Sequence, residues 1–140
     1  MGELGKRVLV ADDDEGVRRL LEEVLRRAGY RVEVCRDGSE AFKRLGSGTY
    51  DLLVFDHHMP KVTGLNLARM ARLAGMAVPI LLITSALEVQ AEAQLHELDG
   101  LQVILKPFGI EDFLLRVERL LGGSSEEEQN TPPTGTKRVT

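Results

Sequence analysis

The chain is short of several things, and each shortage removes a class of function. Its 140 residues include one cysteine, Cys35. No internal disulfide can form, which suits a reducing cytoplasm, and Cys35 itself reads as a small apolar strand residue. No apolar run approaches the roughly 20 residues of a membrane-spanning helix; the longest, "VPILLI" at 78–83, is strand-sized. The start, "MGELGKRVLVADDD", meets charge at once and lacks the apolar segment of a signal peptide. Lys6 stands where a myristoylation signal wants Ser or Thr. Neither sign of charge dominates. Lys and Arg total 18 against 22 Asp and Glu, leaving −4, which argues against a dedicated nucleic-acid surface. The glycines of "GELGK" are too closely spaced for a phosphate loop and precede a strand instead of following one. There are no internal repeats.

What is present is an alternation. Hydrophobic residues make up 43%, enough for one globular domain. Val8–Ala11 reads as a buried strand. From Val17, apolar residues recur at Leu20, Leu21, Val24, Leu25 and Ala28, the spacing of an amphipathic helix, which Gly29 stops. "YRVEVC", "DLLVF", "ILLIT" and "QVIL" read as further strands. Helices are expected over "DGSEAFKRL", about Leu65–Ala74, Glu88–Leu98, and from Ile110 to Leu121. Five strands alternating with five helices imply an α/β, doubly wound parallel sheet with right-handed crossovers. Sites in such sheets form outside the carboxyl ends of the strands. No dinucleotide glycine fingerprint follows the first strand; acidic residues do. From Gly122 the composition turns to Gly, Ser, Pro and charge, so residues 1–121 are expected to fold and 122–140 to form a disordered tail or linker.

The strand ends carry the chemistry. The first ends in Asp12-Asp13-Asp14, the third in Asp56, the fourth in Thr84-Ser85 and the fifth in Lys106-Pro107. A parallel sheet brings all of these to one edge. Crowded carboxylates repel, and a divalent cation relieves the repulsion. Oxygen-only ligands suit Mg²⁺, which binds through a few carboxylates plus phosphate oxygens and keeps several waters. A hydroxyl and a lysine opposite suit an anion. Together they describe phosphoryl transfer to a carboxylate. Blander readings stand beside this one: a helix-capping acidic run at Asp12–Asp14, a turn residue at Asp56, strand filler at Thr84 and a surface lysine at Lys106. Asp14 is expected to cap the helix or face solvent.

At this point the sequence resembles the receiver domain of two-component response regulators. "VLVADDDEGVRRLL", "YDLLVFDHHMPKVTGL", "PILLITSA" and "VILKPF" carry the resemblance, in order and with compatible spacings, over about residues 6–121. It implies a flavodoxin-like receiver fold with Asp56 as phosphoacceptor and Mg²⁺ as cofactor. Asp12, Asp13 and Asp56 would hold the ion, with the backbone carbonyl of His58. Thr84 would bond a phosphoryl oxygen and Lys106 neutralise another. The implied donor is a histidine kinase or phosphotransfer protein, docking near the first helix, where Arg18 and Arg19 lie. The phosphorylated surface near the helix expected over Glu88–Leu98 would control a partner or output domain. The chain is then no substrate-turning enzyme but a phosphoacceptor that catalyses its own phosphorylation and dephosphorylation, cytoplasmic, without direct nucleic-acid or membrane contact. Gly64 is expected to supply a backbone conformation closed to other residues, and Lys106-Pro107-Phe108 a fixed turn of the kind a cis bond makes. The side chains of His57, His58 and Val103 depart from the pattern, though the chemical set does not. His57 stands where receivers more often carry an apolar residue. Val103 stands where many carry an aromatic that turns inward; a valine has no ring to swing and its χ1 is stiff.

Other readings compete. Asp56-His57-His58 matches the three letters of a "DHH" phosphoesterase, but those enzymes are longer and use further histidine motifs. A catalytic zinc wants about three protein ligands, and the one other histidine, His96, lies far along the chain in an expected helix. A haloacid-dehalogenase-type enzyme wants a second acid two residues after the nucleophile, where His58 stands. A phosphorylation-independent interaction module with the receiver fold is the remaining alternative, and the full acidic set with Thr84 and Lys106 argues against it.

Overall fold

Apolar residues fall alternately on the two faces of each strand, and both faces are covered. The computed structural model describes residues 5–87, 89 and 100–122. Five strands, β1 (Arg7–Ala11), β2 (Arg31–Cys35), β3 (Leu52–Asp56), β4 (Ile80–Thr84) and β5 (Leu101–Leu105), are interleaved with α1 (Glu15–Arg27), α2 (Gly38–Ser47), α3 (Gly64–Leu73) and α4 (Ile110–Leu120). The strands form one sheet in the order β2-β1-β3-β4-β5, parallel throughout. This is the doubly wound arrangement expected. Of the helix expected over Glu88–Leu98, Val89 alone is described, and the expected tail beyond Gly122 lies outside the described residues.

Each face has its own core. Leu9, Leu53, Phe55, Ile80 and Leu82 pack against Ala41 and Leu45 of α2 and Leu67, Ala68 and Ala71 of α3. Val8, Val10, Leu52, Val54, Leu81 and Ile83 pack against Leu21 and Leu25 of α1 and Phe113 and Val117 of α4. The period of two along β3 thus decides which helix pair each residue meets. Each fully buried Leu, Ile or Phe contributes roughly 1.5–3 kcal/mol by leaving water.

The helix ends follow from local chemistry. The Asp14 carboxylate accepts the Val17 amide at 3.0 Å and starts α1, so Asp14 does cap. Asp37 does the same for α2 through the Glu40 amide at 2.8 Å. Gly29, at φ +102°, closes α1 in the left-handed region. Helix arginines reach both edge strands: Arg26 of α1 donates to the Val32 carbonyl on β2 at 3.4 Å, and Arg116 of α4 to the Val103 carbonyl on β5 at 3.1 Å.

Candidate functional site

The chain runs from β1 outward to β2, then returns to lay β3 on the other side of β1. That reversal opens a crevice at the carboxyl ends of β1 and β3. The ladder levels the strand ends there: Ala11 pairs with Phe55, Asp56 with Ile83, and Thr84 with Leu105. The residues just beyond stay on the ladder. The Asp12 amide donates to the Cys35 carbonyl at 3.1 Å, His57 to Ile83 at 2.8 Å, and Lys106 to Thr84 at 2.9 Å.

This register gathers Asp12, Asp13, Asp56, Thr84 and Lys106. Asp12, Asp56 and Thr84 are 1%, 2% and 0% exposed, the buried polar side chains among the described residues. Asp13 is exposed. One carboxylate oxygen from each of Asp12, Asp13 and Asp56 lies within 4.8 Å of the others. Asp12 Oδ1 accepts the Asp14 amide at 2.9 Å, while Oδ2 is buried with no hydrogen-bond partner. Burial first, then the nearby Asp56 and Asp13 charges, lift the Asp12 carboxyl to a pKa of about 6 against the pull of the Asp14 amide and Lys106. A buried carboxylate oxygen without a protein partner and an acid that resists ionisation are both relieved by a bound cation. The all-oxygen donor set fits Mg²⁺.

Lys106 approaches from the other side. Its Nζ stands 2.8 Å from Asp56 Oδ1. The contact is an ion pair between a largely covered ammonium and a buried carboxylate. Burial pulls the ammonium's pKa down, but Asp56, then Asp12 and Asp14, outweigh it and raise it. Lys106 therefore stays charged. The Lys106–Pro107 bond is cis. Thr84 Oγ1 accepts the Ala86 amide at 3.1 Å, which leaves the hydroxyl proton to donate.

His57 is half-buried and His58 exposed, and their rings meet edge-on with centroids 5.1 Å apart. Among the described residues, the three aspartates are the one group of His, Cys, Asp and Glu side chains close enough to share an ion. Neither histidine joins it; His96 lies outside the described residues. The "DHH" reading has no support in this geometry.

Five features escaped the sequence. Gly64 is needed for space and not for an unusual φ, which corrects the expectation above. It is absent from the left-handed residues, and a Cβ there would lie 2.4 Å from the Asp56 carbonyl oxygen. The left-handed residue of this turn is Lys61, at φ +77°. Arg18 Nη1 donates to the Asp12 carbonyl at 2.9 Å and so braces the acidic turn. His57 Nδ1 accepts the Leu65 amide at 3.4 Å. Beside Lys106, Val17, Leu20, Leu21, Phe108 and Ile110 line an open apolar groove of about 530 Å³.

The chain belongs to the response regulator receiver domain family, whose model it matches over residues 8–118. It is 34% identical over 132 residues to the transcriptional regulatory protein RprY of Bacteroides fragilis, covering 92% of this chain and 56% of that one. The chain thus spans about half the length of the curated relatives it matches. Among solved structures, it is similar to the response regulator TrrA of Thermotoga maritima in complex with Mg²⁺-BeF (32% identity, TM-score 0.74, 82% of this chain and 98% of that one). It is also similar to the non-phosphorylated HemR receiver domain of Leptospira biflexa (34% identity, TM-score 0.76, 84% and 94%).

Proposed function

We propose that this receiver domain is switched by a phosphoryl group carried on Asp56 and delivered by a histidine kinase or phosphotransfer protein. One observation carries the reading: a buried carboxylate 2.8 Å from a lysine also lies in a cluster of three acids, one of them with an orphaned oxygen. Asp12, Asp13 and Asp56 would hold Mg²⁺, joined by the His58 carbonyl. When bound, the ion neutralises the acidic cluster and the charge building on the phosphoryl oxygens. An Asp56 oxygen attacks phosphorus, the donor's P–N bond breaks, and the imidazole nitrogen keeps the electron pair. Lys106 meets one phosphoryl oxygen and the Thr84 hydroxyl another. The same cluster, acting on a small donor or on water, would make phosphorylation and dephosphorylation self-catalysed.

The energies suffice for a switch. Phosphorylation replaces the single negative charge of the Asp56 carboxylate with an acyl phosphate carrying about −1.5 to −2 and three strong acceptor oxygens. Charge-assisted hydrogen bonds are worth roughly 1.5–3 kcal/mol each, so two approach the ~5.5 kcal/mol that turns a 1:99 equilibrium into 99:1. The groove beside Lys106 suits a donor helix, because phosphate must pass directly between the two proteins. The output is a partner or a further domain, the curated relatives being longer than the part this chain matches. Residues 1–121 are the functional unit in this reading, with 122–140 as tail or linker.

The test is labelling with acetyl phosphate, with and without Mg²⁺, on the parent and on Asp56→Asn. Mg²⁺-dependent label lost in Asp56→Asn is expected. Undiminished label on the variant sinks the assignment, and a parent that never labels favours a phosphorylation-independent interaction module.

A further inference from the structure

We infer that His57 is a positioning residue for phosphoryl transfer, its ring and carbonyl together tethering the phosphoacceptor turn to the first turn of α3. The inference rests on Asp56 as acceptor and on the His58 carbonyl as a metal ligand.

The first amides of a helix have no partner within it. In α3 three of them are met from outside. Thr63 Oγ1 accepts from Asn66 at 3.2 Å. Residue 57 takes the other two: its carbonyl accepts from Gly64 at 3.0 Å, and its Nδ1 from Leu65 at 3.4 Å. Accepting at Nδ1 assigns the proton of the neutral ring to Nε2. An apolar side chain offers the carbonyl bond alone, so the Leu65 tie needs a side-chain acceptor at this position.

On its other side residue 57 is held by the sheet, its amide donating to Ile83 at 2.8 Å. It therefore spans β4 and α3 while separating Asp56 from His58. The turn has no slack, because the Asp56 carbonyl fills the space where a Cβ on Gly64 would sit, 2.4 Å away. Rotation at residue 57 must turn the peptide planes on either side of it. One leads to the Asp56 carboxylate and the other to the His58 carbonyl. The ring acts on the site through the direction of these groups, without touching the phosphoryl group.

The test compares the full chain with His57→Leu and His57→Asn, whose amide oxygen can take the place of Nδ1. In the metal-free parent, ring ¹⁵N shifts should report a bare Nδ1 and a protonated Nε2. His57→Leu should expose the Leu65 amide to faster exchange, weaken Mg²⁺ binding roughly tenfold, as losing a support behind a metal ligand does, and slow acetyl phosphate labelling. His57→Asn should restore the amide's protection and most of both activities, while thermal melts of all three confirm an intact fold. Parental Mg²⁺ affinity and labelling in His57→Leu overturn the proposal alone, as does an Asn variant no better than Leu. A parent that neither binds Mg²⁺ nor labels at Asp56 overturns the underlying reading and this proposal with it.

Discussion

Asp56 Oδ1 and Lys106 Nζ stand 2.8 Å apart, the carboxylate 2% exposed and the ammonium 33%. Without a metal, this lysine offsets the charge of Asp56 and, at longer range, of Asp12. Lys106→Ala should therefore lower stability by about 1–3 kcal/mol, less than the ~3–5 kcal/mol of a fully buried broken pair because water reaches the lysine. Asp56→Asn removes a repelling charge and should cost less or even stabilise. Urea melts without Mg²⁺ decide it, and a greater loss in Asp56→Asn contradicts the account.

Asp12 predicts a pH dependence. Burial holds its carboxyl at about 6, above its ordinary 3.8. An acid raised in the folded state contributes stability that is fully present below the unfolded value and lost as pH rises through the folded one. The rise from about 4 to about 6 costs the metal-free domain on the order of 3 kcal/mol. Asp12→Asn should be the more stable protein at pH 7, with the gap closing near pH 4 and shrinking when Mg²⁺ is added to the parent. A gap independent of pH argues against an ionised, buried Asp12.

The turn after Asp56 supports a paired test. Lys61 has φ +77°, which costs a side-chain-bearing residue roughly 1–2 kcal/mol. Its contact with Asp37, 3.7 Å away and largely exposed, returns little. Lys61→Gly should stabilise by up to about 1 kcal/mol. Gly64→Ala forces a methyl onto the Asp56 carbonyl and should destabilise by about 1–3 kcal/mol while impairing labelling. Equal stability of the two variants would show that the turn yields more easily than its packing implies.

Arg18 and Arg19 should part company. The guanidinium of Arg18 holds the Asp12 carbonyl, whereas that of Arg19 makes an exposed pair with Glu15 at 2.9 Å. Arg18→Ala should slow labelling even by acetyl phosphate, severalfold, through a loosened acidic turn. Arg19→Ala should leave that rate unchanged and act only on transfer from a kinase. Matching rates with the small donor for both variants reject a bracing role for Arg18.

The sheet and the gathering of Asp12, Asp13, Asp56, Thr84 and Lys106 could be read from the sequence because both depend on short-range order. Apolar runs such as Leu52–Phe55 declare strands, and parallel strands of equal length bring their last residues to one edge. What could not be read are bonds between a side chain and a distant or awkwardly placed backbone group. Nothing in "DHHMPKVTG" says that His57 reaches Leu65, that Lys61 carries the left-handed φ, or that Gly64 yields space to a carbonyl. These depend on how α3 settles against β3. Arg18 likewise looked like a surface charge, since its bond to the Asp12 carbonyl forms only in the folded turn after β1.

Arg26 and Arg116 have a further consequence. β2 and β5 are the margins of the sheet, where backbone groups left without a neighbour can recruit a strand from another chain. A guanidinium occupies a carbonyl on each margin, at Val32 and at Val103, and sets a charge where an incoming strand would have to dock. The two arginines thus guard against filament growth as well as joining helix to sheet, so loss of both should show first in concentrated samples, as aggregation, before it shows in a melting curve.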